Sequence, residues 1–169
     1  FLILNGHKFT FKPRLFYSPN DDMKEIPLVD YNVAYERIKR EIQAGDESIA
    51  VVDTWGDRIA WYLGRDYQRA YWIYYPERVK YETENNQKFD TIFHFGFIAN
   101  KEDLVKVMEK NKKGFVFIDG HEVSFLPKDA LWYIENNLKL EVKFDKFSLD
   151  PDPYDTWPAW LYSWGMKRN

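Results

Sequence analysis

The chain has 169 residues, of which 24 are basic and 27 acidic, for a formal net charge of −3, and it contains no cysteine. This length fits one domain with a single core. The mixed charges leave no basic footprint, so we expect no nucleic-acid partner. The lack of cysteine excludes disulfides, thiolate catalysis and thiolate metal sites. No apolar run approaches the ~18 residues of a membrane-spanning helix, so we expect the chain itself to be soluble.

The lead-in to the domain and its first helix are marked by turn and capping residues. Residues 1–29 hold two short extended segments and a loop punctuated by proline, and they precede a single α/β domain that we place at 30–169. Asp30 is a predicted N-cap, and apolar residues then recur with helical spacing up to Gly45. The chain begins with Phe1, and its first residues do not form a signal peptide, which favours a piece of a longer protein.

The stretch that organises the domain begins with the apolar, β-branched run 49–52, which predicts a buried strand. A polar turn at 53–56 then leads into a short helix at 58–63. The next predicted strand is 70–74. Residues 77–90 are polar and indicate an exposed connection without regular structure.

The second half of the chain again contains a buried strand that is followed by a polar turn and a helix. Residues 91–98 predict a short aromatic strand or buried loop, and Asn100 caps the helix that follows. A second buried strand at 115–118 ends in the polar turn 119–122. Pro127 then lies in the first turn of another helix.

The last elements complete the predicted sheet. A strand at 140–144 and a proline-rich loop at 148–158 precede a final aromatic strand at 159–164. Because helices and strands alternate, we predict an α/β fold with three layers: a mostly parallel, Rossmann-like sheet, helices on both faces and an aromatic C-terminal edge strand.

The turn after the first buried strand is the first candidate site, since ligands in open α/β sheets bind beyond the carboxyl ends of strands. In one interpretation the amides of the helix N-terminus bind an anion with help from arginine. In the other, aspartate or threonine caps the helix and the tryptophan anchors the turn. The candidate contact residues here are Asp53, Thr54, Trp55, Asp57 and Arg58.

The second strand-end turn adds Asp119, His121 and Glu122 as candidates. Together they could meet a cation, but a turn that contains Gly120 also needs polar residues for its own backbone. The three histidines of the chain are far apart and none forms a helical zinc pair. Phosphate-binding loops, nucleophile elbows and dinucleotide fingerprints are absent as well. We therefore predict no metal and no cofactor within the chain.

Aromatic residues make up 19% of the chain, about twice the average usage. A core built of large rings explains part of this excess, and a platform for sugars or a lipid interface is the alternative. The sugar-stacking candidates are Tyr154, Trp157 and Trp160. The charged fraction of 30% suits a thermophilic protein with many ion pairs.

Two runs carry a resemblance to a known family. They are YNVAYERIKREIQAGDESIAVVDTWGDRIAWYLGRDYQRAYWIYY (31–75) and FIANKEDLVKVMEKNKKGFVFID (97–119). The order of helix, Gly-Asp, buried strand, Tyr-Leu-Gly and aromatic strand resembles the soluble segment that follows the last membrane helix in polytopic, lipid-phosphosugar-dependent glycosyltransferases. These enzymes form the superfamily of dolichyl-phosphate-mannose protein mannosyltransferases, and the resemblance points to an archaeal member.

The resemblance implies an extracytoplasmic accessory domain that assists acceptor or donor recognition, while the catalytic residues belong to the membrane-embedded portion of the same polypeptide. A glycan or a lipid-linked sugar is the implied ligand. One alternative is a stand-alone soluble enzyme or binding module for a phosphate-containing or nucleotide ligand. Another is an interaction domain that docks through its aromatic edge strand at 159–164.

Overall fold

The computed structural model describes residues 31–44, 49–120, 122–144 and 158–166. Within these ranges the chain forms four α-helices and eight strands. The helices are α1 (Tyr31–Gln43), α2 (Gly56–Leu63), α3 (Lys101–Lys110) and α4 (Lys128–Asn137), and a short 3₁₀ helix spans Val123–Phe125. The strands are β1 (Ile49–Asp53), β2 (Ala70–Ile73), β3 (Tyr81–Glu84), β4 (Gln87–Asp90), β5 (Gly96–Ile98), β6 (Lys113–Asp119), β7 (Lys139–Phe144) and β8 (Ala159–Trp164).

The sheet corrects the predicted fold. The eight strands of the described ranges form one mixed sheet in the order β3-β4-β5-β2-β1-β6-β8-β7. Three pairings are parallel, β1 with β2, β1 with β6 and β2 with β5, and four are antiparallel. The fold is α/β, but the prediction of a mostly parallel, Rossmann-like sheet is wrong.

Two strands cause this difference. β4 runs against both β3 and β5, and β8 runs against both β6 and β7. All four antiparallel pairings therefore come from β4 and β8. Alternating helices and strands do predict parallel neighbours, but they do not show where a later strand inserts.

The prediction of an aromatic edge strand at the C-terminal end is also wrong. β8 lies inside the sheet, where it pairs with β6 on one side and β7 on the other. Its residues Ala159, Leu161 and Trp164 are buried. Because both sides of its backbone are paired, β8 offers no free edge for a docking partner.

The region 77–90 was predicted to lack regular structure, but residues 81–90 form a hairpin of β3 and β4. All four residues of β3 are exposed. The turn is formed by Asn85 and Asn86, which have φ angles of 48° and 62°. Asparagine tolerates this left-handed backbone, and tight hairpins require it at both central positions.

Two helices cover each face of the sheet, and each pair seals its own apolar cluster. α1 and α2 pack on one face, where Tyr35, Ile38 and Ile59 are fully buried. α3 and α4 cover the other face with Leu104 and Ile134. The predicted cap of α3 is confirmed, because the Asn100 side chain accepts a hydrogen bond from the Asp103 amide at 2.9 Å. None of the helices in the described ranges is long and apolar enough to cross a bilayer.

An ion pair ties α1 to the far edge of the sheet. Arg37 donates to Glu141 on β7 at 2.6 Å, and the Ser163 hydroxyl donates to the same carboxylate at 2.6 Å. Lys139 lies 2.9 Å from it. Burial alone would raise the pKa of Glu141, but the hydrogen bonds and charges of these partners lower it. Glu141 is therefore held as a carboxylate that links α1, β7 and β8.

Candidate functional site

The two strand-end turns singled out by the sequence lie side by side. Asp53 is the last residue of β1 and Asp119 the last of β6, and these strands are parallel neighbours. From β1 the chain extends the sheet through β2 to one side and later returns with β6 on the other. Such a reversal is the switch point at which open α/β sheets bind ligands, beyond the carboxyl ends of their strands.

Arg58 of α2 occupies this position. Its Nη2 donates to Asp53 Oδ1 at 2.7 Å, and its Nε lies 3.2 and 3.3 Å from the two oxygens of that carboxylate. Its Nη1 donates to Asp119 Oδ2 at 2.6 Å. One guanidinium therefore joins the ends of β1 and β6, with a fork geometry that suits carboxylates.

Thr54 completes the link between the two strands. Its Oγ1 accepts a hydrogen bond from Arg58 Nη2 at 2.9 Å and one from the Asp119 amide at 3.3 Å. Trp55 is the N-cap residue of α2 but makes no capping bond through its side chain. Its amide instead donates to Asp53 Oδ1 at 2.8 Å. Asp53 thus accepts an amide hydrogen bond, as the capping interpretation expects, but this amide belongs to the N-cap residue and not to the first turn of α2.

Two tyrosines of α1 contact the two aspartates from the helix side of the sheet. The Tyr35 hydroxyl donates to Asp53 Oδ2 at 2.5 Å, and the Tyr31 hydroxyl donates to Asp119 Oδ2 at 2.5 Å. The guanidinium carbon of Arg58 also lies over the Tyr31 ring, 4.6 Å from the ring centroid. We call the set Tyr31, Tyr35, Asp53, Thr54, Arg58 and Asp119 the strand-end cluster.

Tyr31 and Tyr35 belong to the apolar residues whose helical spacing predicts the first helix. Their spacing of four residues places both hydroxyls on one stripe of that helix. A tyrosine buried in a core needs a partner for its hydroxyl. The sequence signal for these members of the cluster was therefore two inward-facing tyrosine hydroxyls that need partners and two strand-end aspartates that can accept from them.

Burial and charge decide what the strand-end cluster can do. The side chains of Asp53, Asp119 and Arg58 are 0%, 4% and 11% exposed. Burial raises the pKa of Asp53, and Arg58 is the strongest opposing influence. Burial and the facing aspartates raise the pKa of both Tyr31 and Tyr35, so the tyrosines stay neutral donors. The carboxylates of Asp53 and Asp119 therefore share one cation, the Arg58 guanidinium.

The strand-end cluster does not favour the binding of an anion. A phosphate at the start of α2 would meet Arg58, whose donors are already engaged, together with Asp53 and Asp119. The charge balance therefore opposes the anion-binding interpretation of this turn. In the described ranges every buried polar side-chain atom has a hydrogen-bond partner, and no group of three or more acidic or histidine side chains is arranged to hold a metal ion.

The remaining candidates of the two turns lie outside the cluster. Asp57 is exposed in the first turn of α2. Glu122 is buried and accepts a hydrogen bond from the Tyr74 hydroxyl, whose pKa is raised by burial and by that carboxylate. Trp55 is 43% exposed and lies 5.9 Å from the Arg58 guanidinium. His121 lies outside the described residues.

The predicted sugar-stacking residues are not brought together at a described site. Tyr154 and Trp157 lie outside the described residues. Trp160 is on β8, opposite Ile118 of β6, and packs against the apolar cluster under α3 and α4. For Trp160 the packing role is the one observed.

The chain matches no protein-family model, no curated protein and no solved structure with which it was compared.

Proposed function

We propose that this chain is a non-catalytic, extracytoplasmic accessory domain of a membrane glycosyltransferase, which assists acceptor or donor recognition. The observation that carries the non-catalytic role is the closure of the switch point. Where an α/β enzyme would receive its ligand, the chain places Arg58 between two aspartates and covers the pair with two tyrosines. The parent enzyme is proposed from the resemblance of the runs 31–75 and 97–119.

The contact surface is proposed to be the strand-end edge, with Trp55 as its anchor. Arg58 and the two aspartates hold the turn between β1 and α2, while the Trp55 ring remains 43% exposed. A partly exposed tryptophan is the kind of residue that dominates binding at interfaces. The strand-end cluster then serves to hold this ring in place.

The proposal that this chain belongs to a membrane enzyme is tested by the coding sequence on either side of it. We expect membrane spans in the same reading frame upstream of Phe1. Flanking sequence without such spans would refute the proposal.

The role of the edge is tested in the full-length protein reconstituted into liposomes, with sugar transfer from a polyprenyl phosphosugar as the assay. Trp55→Ala should raise the KM for acceptor or donor about 5- to 30-fold and leave kcat within about twofold. The matched control is Trp61→Ala, because Trp61 lies on the same helix and is 83% exposed. Loss of kcat in W55A at unchanged KM, or equal effects in both variants, would contradict the proposed contact.

A further inference from the structure

A second surface lies apart from the strand-end cluster and shares no residue with it. It is an open groove of about 1360 Å³. Its walls are the loop before β2, the β3–β4 hairpin, the residues around His94 and the length of α3. We call it the hairpin groove. Its volume exceeds the roughly 300–1,000 Å³ of small-molecule pockets, which favours a ligand of several linked units.

Exposed side-chain amides border the hairpin groove. Asn85, Asn86 and Gln87 are consecutive exposed residues at the tip of the hairpin. Their side chains make no hydrogen bond to the described residues, although each amide carries two donors and an acceptor. The turn holds the backbone of Asn85 and Asn86 in the left-handed region, so both amides start from the tip of the hairpin.

An aromatic platform lies beside them. The His94 ring stacks on Phe89 with centroids 4.8 Å apart and an interplanar angle of 10°. His94 is exposed, and its φ of 57° is uncommon for a residue other than glycine. The buried Asp90 holds this loop by accepting hydrogen bonds from the amides of Ile92, Phe93 and Phe95 at 2.7 to 2.9 Å.

The floor of the hairpin groove also depends on a ring. The Tyr71 ring lies across Gly96, so that a Cβ at residue 96 would be only 2.4 Å from it. Tyr71 is anchored by Asn111, whose Nδ2 donates to the Tyr71 hydroxyl at 3.2 Å. Glycine at position 96 therefore leaves the space that the Tyr71 ring occupies.

The charges of the lining cancel. Four cations and four anions line the hairpin groove, and one pair is a direct bridge between Lys88 on the hairpin and Asp103 on α3 at 2.8 Å. Nucleic acids and sulfated polymers need an excess of cations, which this lining lacks. A lipid chain needs a mainly apolar lining, whereas amides and charged residues border this one. The eight charged residues are Arg65, Lys88, Lys106, Lys110, Asp66, Glu102, Asp103 and Glu109.

We propose that the hairpin groove binds a neutral oligosaccharide chain. Amides that both donate and accept match sugar hydroxyls, and ring faces match the apolar faces of pyranose rings. Asn85, Asn86 and Gln87 supply the hydrogen bonds, and the His94–Phe89 stack supplies the platform. This inference does not rest on the parent being a glycosyltransferase. Flanking sequence without membrane spans would leave it intact, and failure to bind sugar would leave the parentage intact.

The test is a titration of the ¹⁵N-labelled chain with neutral hexasaccharides, mannohexaose and cellohexaose, followed by two-dimensional NMR. We expect at least one to cause saturable shifts in the side-chain amides at 85–87 and in the backbone around His94. A sulfated hexasaccharide, a single-stranded oligonucleotide and an unstructured peptide of similar length are the competitors. Preferential binding of any competitor would overturn the proposal, as would the absence of saturable shifts at millimolar hexasaccharide.

Two variants keep the backbone and remove the binding groups. Asn86→Gly and His94→Gly place glycine where the left-handed region is required, so the fold should be retained. Each should raise the Kd of the hexasaccharide about two- to tenfold. The control is Asn136→Ala, which removes an exposed amide on α4. If one variant loses its native spectrum, the other variant provides the test. An unchanged Kd in every folded groove variant, or an equal effect of N136A, would refute the assignment.

Discussion

Replacing Arg58 with methionine removes the only cation of the strand-end cluster while keeping much of the volume of its side chain. Arg58 makes hydrogen bonds to both Asp53 and Asp119, and all three side chains are at least 89% buried. Without it, two carboxylates face each other across the ends of β1 and β6 with no opposite charge. We expect Arg58→Met to be among the most destabilising single substitutions in this chain.

The magnitude follows from the cost of leaving a buried charge unpaired. Breaking a buried ion pair by removing one partner costs about 3–5 kcal/mol. A domain of ordinary stability has about 5–15 kcal/mol in total, so this cost is a large fraction of it. In urea unfolding the slope for a domain of this size is about 2–3 kcal/mol per molar, so the midpoint should fall by about 1–2.5 M.

The cost should also depend on pH. Burial already raises the pKa of Asp53 and Arg58 opposes that rise, so the folded-state pKa rises further when Arg58 is lost. A carboxyl whose pKa is higher in the folded than in the unfolded state binds more protons when folded. Its contribution to the free energy of unfolding is therefore fully present below the unfolded pKa and falls as pH rises through the folded pKa. R58M should lose more stability near pH 7 than near pH 4.

Lys39→Met is the matched control. Lys39 pairs with Glu36 at 3.1 Å on the outer side of α1, where the two side chains are 32% and 59% exposed. Its loss should change the free energy of unfolding by no more than about 0.5 kcal/mol at either pH. A cost for R58M below about 1 kcal/mol, or one that is the same at both pH values, would show that the pairing in the cluster does not stabilise the fold.

Three further substitutions test other parts of the structure by urea or thermal unfolding. Tyr35→Phe removes the donor to Asp53 and should cost about 1–3 kcal/mol, since the ring stays packed while a buried carboxylate loses a hydrogen bond; an unchanged midpoint would contradict this. Glu141 has a lowered pKa, so the stability that it contributes is present above its unfolded pKa and is lost as pH falls through the folded one. Glu141→Gln should therefore flatten the acid limb of the stability profile, and an unaltered limb would refute the assignment. Gly114→Ala places a Cβ 2.1 Å from the Trp164 ring and 2.6 Å from a carbonyl of β1, and should cost about 1–3 kcal/mol or more; a wild-type melting temperature would contradict it.

Local chemistry made much of the candidate site predictable. Asp53 and Asp119 each follow a buried apolar strand, and carboxyl ends of parallel strands lie at one edge of a sheet. Arg58 was predicted at the same turn because it begins the helix after it. The two tyrosines were missed, because helical spacing shows that Tyr31 and Tyr35 face inward but not which strand end lies opposite them.

The sheet was harder to predict because its direction depends on contacts between distant residues. β8 reaches its place between β6 and β7 only after the chain has passed residues 145–157, and no periodicity in its own sequence distinguishes an inner strand from an edge. The hairpin of β3 and β4 was missed for a different reason. Its strand β3 is exposed and β4 is only partly buried, and both carry charged residues, so neither shows the apolar alternation of a half-buried strand. Asn85 and Asn86 are nevertheless typical of a tight hairpin turn.

The most direct test of the central claim, that the strand-end cluster is a closed structural support, is the coupling free energy between Arg58 and Asp119. It is measured with the double-mutant cycle of R58M, D119N and the double variant in urea unfolding near pH 7. The two side chains are joined at 2.6 Å in a buried position, which predicts a favourable coupling of about 1–3 kcal/mol. Additive effects, with a coupling close to zero, would contradict it.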